Sequence, residues 1–244
     1  KYLWRLADGV EVESVGLPHE NRVTVCFSTQ AGCAMGCAFC ATGRGGFERD
    51  LTAGEMADQV RLVGADLGER VTNAVAMGQG EPFANYDETL GALRLMNNRR
   101  CLDIGAPHLT VSTCGIVAGI DRLAQEPEQF TLAVSLHSAV QETRDRLMPG
   151  VRGDDLVRLR RAIASYTDRT HRRVTLEYAL VPGVNDGEAE SAALESFCEG
   201  LLCHVNVIPA NPVEGAAIGK ERPGAVRGLV ARLERSGVAA SVRD

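Results

Sequence analysis

Three cysteines lie within eight residues in the stretch Cys33-Ala34-Met35-Gly36-Cys37-Ala38-Phe39-Cys40. Thiolates at this spacing can converge on one face of a metal cluster. Iron–sulfur clusters are held by cysteine thiolates, usually four. Because this run supplies three, one iron of a four-iron cluster is left free to bind a substrate, and Phe39 is expected to shield the cluster from water. The alternatives are a zinc knuckle, which usually takes four ligands in two close pairs, and three unrelated buried thiols.

The composition is that of a globular protein. The chain has 244 residues, of which 45% are hydrophobic and 24% charged, enough for one large domain such as an α/β barrel. No apolar run approaches the roughly 20 residues of a membrane helix, and no signal peptide is visible at the start. Eight cysteines without a secretory context predict a reducing compartment, the cytoplasm. The net charge of −6 argues weakly against a nucleic-acid partner, although a local basic patch would matter more.

Strands and helices alternate along the chain after an N-terminal hairpin. The hairpin is predicted over 2–15 with an Asp8-Gly9 turn, and Glu55 completes a capping box for a helix that begins near Thr52. Further strands are predicted at 23–28, 71–78, 108–113, 131–136, 174–181, 204–209 and 239–242, and further helices at 85–97, 117–124, 141–147, 154–166, 188–200 and 223–236. This alternation predicts a parallel sheet with right-handed crossovers. Six units predict a partial (βα)6 TIM-like barrel that forms one domain over 1–244.

Unusual polar residues follow the predicted strands, where barrels of this kind carry their active sites. Besides the cysteines, these stretches are Gly78-Gln79-Gly80-Glu81-Pro82, Ser112-Thr113-Cys114-Gly115, Ser135-Leu136-His137, Pro182-Gly183-Val184-Asn185-Asp186 and Pro209-Ala210-Asn211-Pro212. Glycine lets a backbone approach a ligand closely, and Glu81 is a candidate acceptor for a ligand ammonium. A plain Gly-Pro turn is the alternative. Ser112, Ser135, His137 and Asn211 are candidates for polar contacts, although a lone His or Asn at a strand end is more often structural.

Two residues near the start of the chain have a structural and a chemical interpretation. Cys26 precedes Cys33 by seven residues and is either a packed strand residue or a redox thiol. Glu13 by itself is typical of an exposed strand carboxylate. Four other cysteines are predicted to pack without chemistry: Cys101, Cys114, Cys198 and Cys203.

Arginines occur in several clusters. Arg44 and Arg49 follow the cysteine loop and are candidates to meet phosphate, which suits the bidentate fork of arginine. Other clusters, including the one with Arg144 and Arg146, are expected in part to be solvated helix faces.

The cysteine spacing resembles that of the radical S-adenosylmethionine (SAM) enzymes, whose open iron chelates SAM. The further motifs resemble one branch of that family, the RNA methyltransferases of the RlmN type, over nearly the whole chain. The stretches that carry this resemblance are Val25-Cys26-Phe27-Ser28-Thr29-Gln30-Ala31-Gly32, Gly80-Glu81-Pro82, Val111-Ser112-Thr113-Cys114-Gly115, Leu132-Ala133-Val134-Ser135-Leu136-His137 and Ile208-Pro209-Ala210-Asn211-Pro212.

The resemblance implies a complete set of roles. The implied activity is methylation of carbon 2 of adenosine in 23S rRNA and tRNA through a methyl-cysteine intermediate, with an electron donor such as flavodoxin and a monomeric enzyme. Glu13 would be the proton acceptor, and Cys26 the thiol that resolves the covalent intermediate. The implied ligands of a 4Fe-4S cluster are Cys33, Cys37 and Cys40. The implied SAM contacts are Gly80, Glu81, Ser112, Ser135, Leu136, His137 and Asn211.

The sequence departs from that family at both ends. The family carries a helical N-terminal RNA-binding domain and a C-terminal tail with the methylated cysteine, and the residues from Lys1 to Asp244 include neither. We therefore expect further material outside this sequence. The alternatives are a radical SAM enzyme with a peptide or small-molecule substrate, and a non-catalytic cluster or zinc module that binds RNA. Modification of RNA would exclude the first, and metal analysis with SAM binding would exclude the second.

Overall fold

The computed structural model describes residues 1–209 and 224–243. Its strands are β1 Tyr2–Arg5, β2 Glu11–His19, β3 Arg22–Cys26, β4 Gln30–Gly32, β5 Phe47–Asp50, β6 Asn73–Ala76, β7 Leu109–Thr113, β8 Thr131–Ser135, β9 Val174–Leu180, β10 Cys203–Pro209 and β11 Ala240–Val242. Its helices are α1 Ala41–Gly45, α2 Ala53–Leu67, α3 Tyr86–Asn97, α4 Val117–Leu123, α5 Gln141–Leu147, α6 Leu156–Thr170, α7 Glu188–Cys198 and α8 Ala225–Arg235. The predicted alternation of strands and helices is confirmed. None of these helices combines the length and apolar character that a membrane crossing needs.

Strand β2 is longer than predicted and forms a second hairpin. Beyond its pairing with β1 it continues to His19 and pairs antiparallel with β3, from Val15 opposite Cys26 to His19 opposite Arg22. Proline usually excludes a central strand because it lacks the ladder N–H. Pro18 is tolerated because β1 pairs only with residues 11–14 of β2, so that side of Pro18 is an open edge.

A small antiparallel sheet flanks the cysteine stretch and was not predicted. Strand β4 pairs with β5, from Gln30 opposite Asp50 to Gly32 opposite Phe47. The Cys33 N–H donates to the Gly46 carbonyl at 2.7 Å and continues the ladder. Strands this short carry too few residues to show a period of two.

The chain divides into two compact units. The first consists of Lys1–Ala34, Gly45–Thr113 and Glu126–Leu132, and the second of Met35–Arg44, Cys114–Gln125 and Ala133–Asp244. The single domain inferred from the sequence stays a prediction.

In the first unit, an antiparallel hairpin leads into parallel strands. Strand β1 pairs with β2, β2 with β3, β3 with β6, and β6 with β7, the last two pairs parallel. Helix α2 buries one face, which includes Met56, Val60 and Val63. The capping box is present: Thr52 Oγ1 accepts from the Glu55 N–H at 3.2 Å, and a Glu55 carboxylate oxygen accepts from the Thr52 N–H at 2.9 Å.

In the second unit, the described strands form a parallel set. Strand β9 lies between β8 and β10, and β10 also pairs with β11. Strand β9 is buried on both faces from Leu176 to Leu180, as is typical of parallel sheets. Strand β10 alternates instead, with Val205 and Val207 fully buried and the residue between them half-buried.

Replacing Thr52 by Ala should destabilise the protein by about 1 kcal/mol, because the N–H of Glu55 loses its side-chain acceptor. Urea unfolding followed by circular dichroism measures this difference. Thr52→Ser keeps the hydroxyl and should remain within about 0.5 kcal/mol of the wild type. Equal losses in both variants would show that the cap contributes nothing.

Candidate functional site

The Gly78–Pro82 loop of the first unit is shaped by close backbone contacts. Gly80 has a φ of 102°, and a Cβ there would lie 2.6 Å from the Gln30 Cβ and 2.7 Å from the Gln30 nitrogen. A Cβ on Gly78 would lie 2.7 Å from the Phe27 carbonyl oxygen. Glycine is therefore required at both positions by the segment 27–30, independently of any ligand.

Hydrogen bonds fix this loop against the chain that leads to the cysteines. The Thr29 N–H donates to the Gln79 carbonyl at 2.8 Å, and the Gln79 N–H donates to Ser28 Oγ at 2.9 Å. The Gln59 side-chain amide accepts from the Ser28 N–H at 2.9 Å and donates to the Ser28 carbonyl at 3.0 Å. The loop therefore presents its carboxylate from a fixed backbone.

Two acceptors in this loop suit a cationic donor. Glu81 is 2% exposed, its N–H donates to Gln30 Oε1 at 2.8 Å, and its Oε1 accepts from the Phe83 N–H at 3.0 Å. The buried Oε1 of Gln79 has no hydrogen-bond partner. A buried polar atom without a partner costs about 1–3 kcal/mol, which a donating ligand such as an ammonium group would recover.

Glu13 and Cys26 lie on one face of the β2–β3 ladder. Val15 is directly opposite Cys26, and Glu13 is two residues from Val15, hence on the same face. Both Glu13 and Cys26 are half-buried, and Glu13 forms an ion pair with Lys1 at 2.8 Å. Glu13 and Cys26 are thus diagonal neighbours, a relation in which the two residues lie about 7–8 Å apart on a sheet.

The remaining predicted residues of the first unit lie in short strands or directly after one. Cys33 is buried and follows β4. Ser112 is half-buried in β7. Arg49, predicted to meet phosphate, is instead paired with Asp8 at 2.6 Å and Glu55 at 2.8 Å. That prediction is wrong for Arg49, because both carboxylates already occupy its guanidinium.

Cys37 and Cys40 lie in the second unit, in a turn supported by apolar residues. The Cys40 N–H donates to the Cys37 carbonyl at 3.1 Å, and Gly36 adopts a φ of 61°. Cys37 and Phe39 pack against an apolar cluster made of Cys114, Leu147, Met148, Val151 and Val181. Such a shell excludes water and tunes a metal centre.

The donor set suits an iron–sulfur cluster, since thiolates are its usual ligands. Within residues 1–209 and 224–243, no three His, Cys, Asp or Glu side chains are arranged to hold a single metal ion. In a four-iron cluster each cysteine binds a different iron, so that finding does not bear on a cluster.

His137 is a buried neutral imidazole. Burial, with the positive charge of Arg144, lowers its pKa from 6.5 to about 3. Its Nδ1 accepts from the Ala179 N–H at 2.9 Å, so the ring proton lies on Nε2. The Phe39 ring meets it edge-on at 4.5 Å between centroids. Because Nδ1 is occupied, Nε2 is the ring atom that can make a polar contact with a cofactor. The backbone at His137 is left-handed, with a φ of 54°.

A polar row crosses the strands of the second unit and was missed in part. Ser135 is opposite Glu177, which is opposite Asn206. The Asn206 amide donates to the buried Glu177 carboxylate at 2.9 Å, and burial raises the pKa of Glu177. The neighbouring Leu136 is fully buried. A charged residue within an apolar strand was the available clue to Glu177.

Other sequence predictions have mixed outcomes. Cys114, Cys198 and Cys203 are buried as predicted, whereas Cys101 is exposed. Arg144 belongs to no solvated face, because it is fully buried. Asn211 lies outside the described residues.

Residues 27–194 match the family described as the Radical SAM superfamily. The chain belongs to this superfamily. It is 43% identical over 243 residues to the probable dual-specificity RNA methyltransferase RlmN of Alkaliphilus metalliredigens, covering 100% of the chain and 69% of that protein. It is 47% identical over 246 residues to the protein of the same name from Symbiobacterium thermophilum, covering 100% of the chain and 66% of that protein. These matches place the chain in the RlmN family.

A solved radical SAM methyltransferase from Sphaerobacter thermophilus has the same fold. It is 44% identical, with a TM-score of 0.95 over 99% of this chain and 72% of the other. SuiB of Streptococcus suis is 16% identical, with a TM-score of 0.65 over 92% of this chain and 52% of SuiB. At this identity the match shows a common fold and nothing about function. The predicted fold class, an α/β radical SAM fold with an N-terminal hairpin, is confirmed.

Glu81→Gln should weaken SAM binding by about 10- to 100-fold. A hydrogen bond to a charged group is worth about 1.5–3 kcal/mol, and about 1.4 kcal/mol is tenfold in affinity. Glutamine keeps an acceptor for the Phe83 N–H, so apo stability should change little. Calorimetric titration measures the affinity, and Glu69→Gln, at an exposed carboxylate, is the control. Equal SAM affinity in both variants would remove Glu81 from the site.

The apoprotein should lose stability below pH 6.5 partly through His137. Its pKa falls from 6.5 to about 3 on folding, so the unfolded chain binds the proton first. The contribution is complete above pH 6.5 and is lost as the pH falls towards 3, by at most about 1.4 kcal/mol per pH unit.

Asparagine tolerates the left-handed backbone and does not titrate, so His137→Asn should show a flatter profile. Urea midpoints between pH 7.5 and 5 measure both proteins. Parallel profiles would contradict the assignment of a buried neutral imidazole.

Proposed function

We propose that this chain is the catalytic part of a radical SAM enzyme that methylates carbon 2 of adenosine in 23S rRNA and tRNA through a methyl-cysteine intermediate. The identity of 43–47% across the whole chain to proteins named RlmN carries the proposal. The chain spans 66–69% of those relatives, so the activity of a whole protein is assigned here by proposal.

The proposed cofactors are a 4Fe-4S cluster held by Cys33, Cys37 and Cys40, and SAM. When bound, they supply radical chemistry that an electron-poor ring carbon requires. Phe39 and the apolar cluster beside Cys37 keep water away from that chemistry. Family resemblance assigns the SAM contacts to Gly80, Glu81, Ser112, Ser135, Leu136, His137 and Asn211.

The chain's own residues recognise SAM through fixed acceptors. Glu81 accepts a hydrogen bond from the SAM ammonium. The side-chain Oε1 of Gln79, which is buried without a hydrogen-bond partner, is a second acceptor. His137 contributes an N–H at Nε2 without a charge. These groups are held by backbone contacts before the ligand arrives, which lowers the cost of ordering them on binding.

Glu13 and Cys26 carry the steps on the RNA side. Glu13 accepts the proton that the ring carbon loses when its new bond is complete. The Cys26 thiolate then attacks the sulfur of the methyl-accepting cysteine, since thiolate is the attacking form. The S–S bond forms as the bond between that sulfur and the methylene carbon breaks, the electron pair stays with the carbon, and a proton taken up there completes the methyl group of the released base. Their shared face on the β2–β3 ladder supports this pairing of roles.

We further propose 23S rRNA and tRNA as partners, an electron donor such as flavodoxin, a monomeric enzyme and a cytoplasmic location. RNA substrates and a low-potential cluster both suit the reducing interior of the cell.

The whole gene product, reconstituted anaerobically, should contain about four irons per chain and methylate carbon 2 of adenosine in 23S rRNA fragments. Mass spectrometry of digested RNA detects the product, and Cys33→Ala is the control without a cluster.

Cys26→Ala should accumulate protein crosslinked to RNA, because only release is blocked.

Denaturing gels with labelled RNA reveal the crosslink, which should require SAM and reductant. Free methylated RNA from Cys26→Ala would remove Cys26 from the mechanism. Iron-loaded protein that cleaves SAM and leaves RNA unmodified would favour a radical SAM enzyme for another substrate.

A further inference from the structure

A buried cation lies beside the cysteine turn of the second unit. Arg144, on α5, is 0% exposed. Its Nη2 donates to the Cys114 carbonyl at 2.6 Å. Its Nε and Nη1 are also buried, and neither has a hydrogen-bond partner. Two donor groups of a charged side chain are thus left without an acceptor.

The surrounding backbone leaves room for this guanidinium. Gly115 has a φ of 100°, and a Cβ there would lie 2.8 Å from the Arg144 Nη2. The same Cβ would lie 3.2 Å from Leu159 Cδ1. A side chain at position 115 would therefore displace the guanidinium, so the position of Arg144 depends on the glycine two residues after β7.

Helix α5 carries Arg144, and its C-terminal end is hydrogen-bonded to the cysteine turn. The Ala38 N–H donates to the Leu147 carbonyl at 2.9 Å, and the Gly150 N–H donates to the Met35 carbonyl at 3.0 Å. Cys37 packs against the apolar cluster that contains Leu147. The first bond joins the turn to the last residue of the helix that carries the cation, and the second joins it to the segment just after that helix.

The charged groups around Arg144 do not supply the missing acceptor. Burial lowers the pKa of Arg144, and Cys114 and Cys37 are among the groups that act against this shift. Asp145 accepts from the Gln141 side-chain amide at 2.7 Å. Asp154 accepts from the Val117 N–H at 3.2 Å and pairs with Arg158 at 3.4 Å. Among these groups, Cys37 is the one that a bound cluster would convert to a half-buried anion.

We infer that Arg144 donates through Nε and Nη1 to the anionic sulfur that Cys37 presents when it binds an iron–sulfur cluster. Arg144 is then a positioning and charge-compensating residue of the cluster site. This inference rests on the proposed function.

A fixed cation at this position has a measurable effect on the cluster. One-electron reduction adds negative charge to the cluster, and a nearby positive charge stabilises the reduced form. Hydrogen bonds to the sulfurs and net charge both set the potential of such clusters. Arg144 therefore raises the reduction potential and makes the cluster easier to reduce.

The test compares Arg144→Met, Arg144→Gln and Arg144→Lys with the wild type and with Arg146→Met, which removes an exposed arginine from the same helix. Redox titration followed by electron paramagnetic resonance, without SAM, gives the potential. Met and Gln should lower the ratio of reduced to oxidised cluster about tenfold at a given potential, or about 59 mV for one electron. Lys and Arg146→Met should stay close to the wild type.

The apoproteins provide a second readout. Removing a buried charge that lacks an anionic partner should leave apo Arg144→Met at least as stable as the apo wild type, because the anion arrives with the cluster. A structural role predicts the reverse, a destabilised apoprotein with an unchanged potential, and that result would overturn the inference.

The remaining outcomes separate the two proposals. A wild type that takes up no cluster would overturn both. A loaded wild type whose potential matches those of the Met and Gln variants would overturn the role of Arg144 alone. Unchanged potentials combined with weaker SAM binding in the variants would assign Arg144 to the SAM carboxylate, and would also overturn the inference.

Discussion

The reciprocal pairing of the Gln59 amide with the N–H and carbonyl of Ser28 is the interaction on which the first unit depends. It satisfies both backbone groups of a buried residue in a segment that has left its strand, where no ladder partner is available. The segment 27–30 then becomes a template, because Gln79 bonds to Thr29 and Gln30 bonds to Glu81. Helix α2, through one glutamine, thereby determines where the Glu81 carboxylate lies.

The second unit buries an arginine and a histidine side chain. Arg144 and His137 are both enclosed, and burial disfavours the charged form of each. The histidine yields its proton, because a pKa near 6.5 can be moved below neutrality by desolvation. Arginine keeps its charge, because its pKa is too high to cross physiological pH. A buried guanidinium therefore requires an anion, whereas a buried imidazole requires only a donor for its free nitrogen.

Much of the fold could be predicted from the sequence, and the omissions have physical causes. Capping at Thr52 and the apolar stripe of α2 are local signals, so that helix was placed correctly. The β4–β5 pair depends on contacts between residues far apart in sequence, which periodicity does not report. Glu13 and Cys26 were identified through family resemblance, and only the β2–β3 register shows that they share a face. The burial of Arg144 was missed because the Arg-Asp-Arg pattern of its helix is typical of a solvated surface.

The left-handed backbone at His137 limits which substitutions the fold tolerates at this position. Asparagine and aspartate enter that conformation more readily than other side chains with a Cβ, and the codons of both are a single nucleotide from those of histidine. Two of the single-nucleotide changes at this position therefore preserve the turn while deleting the ring nitrogen that accepts from Ala179. Selection for a folded protein alone would leave such substitutions in a population, and only selection on the chemistry would remove them.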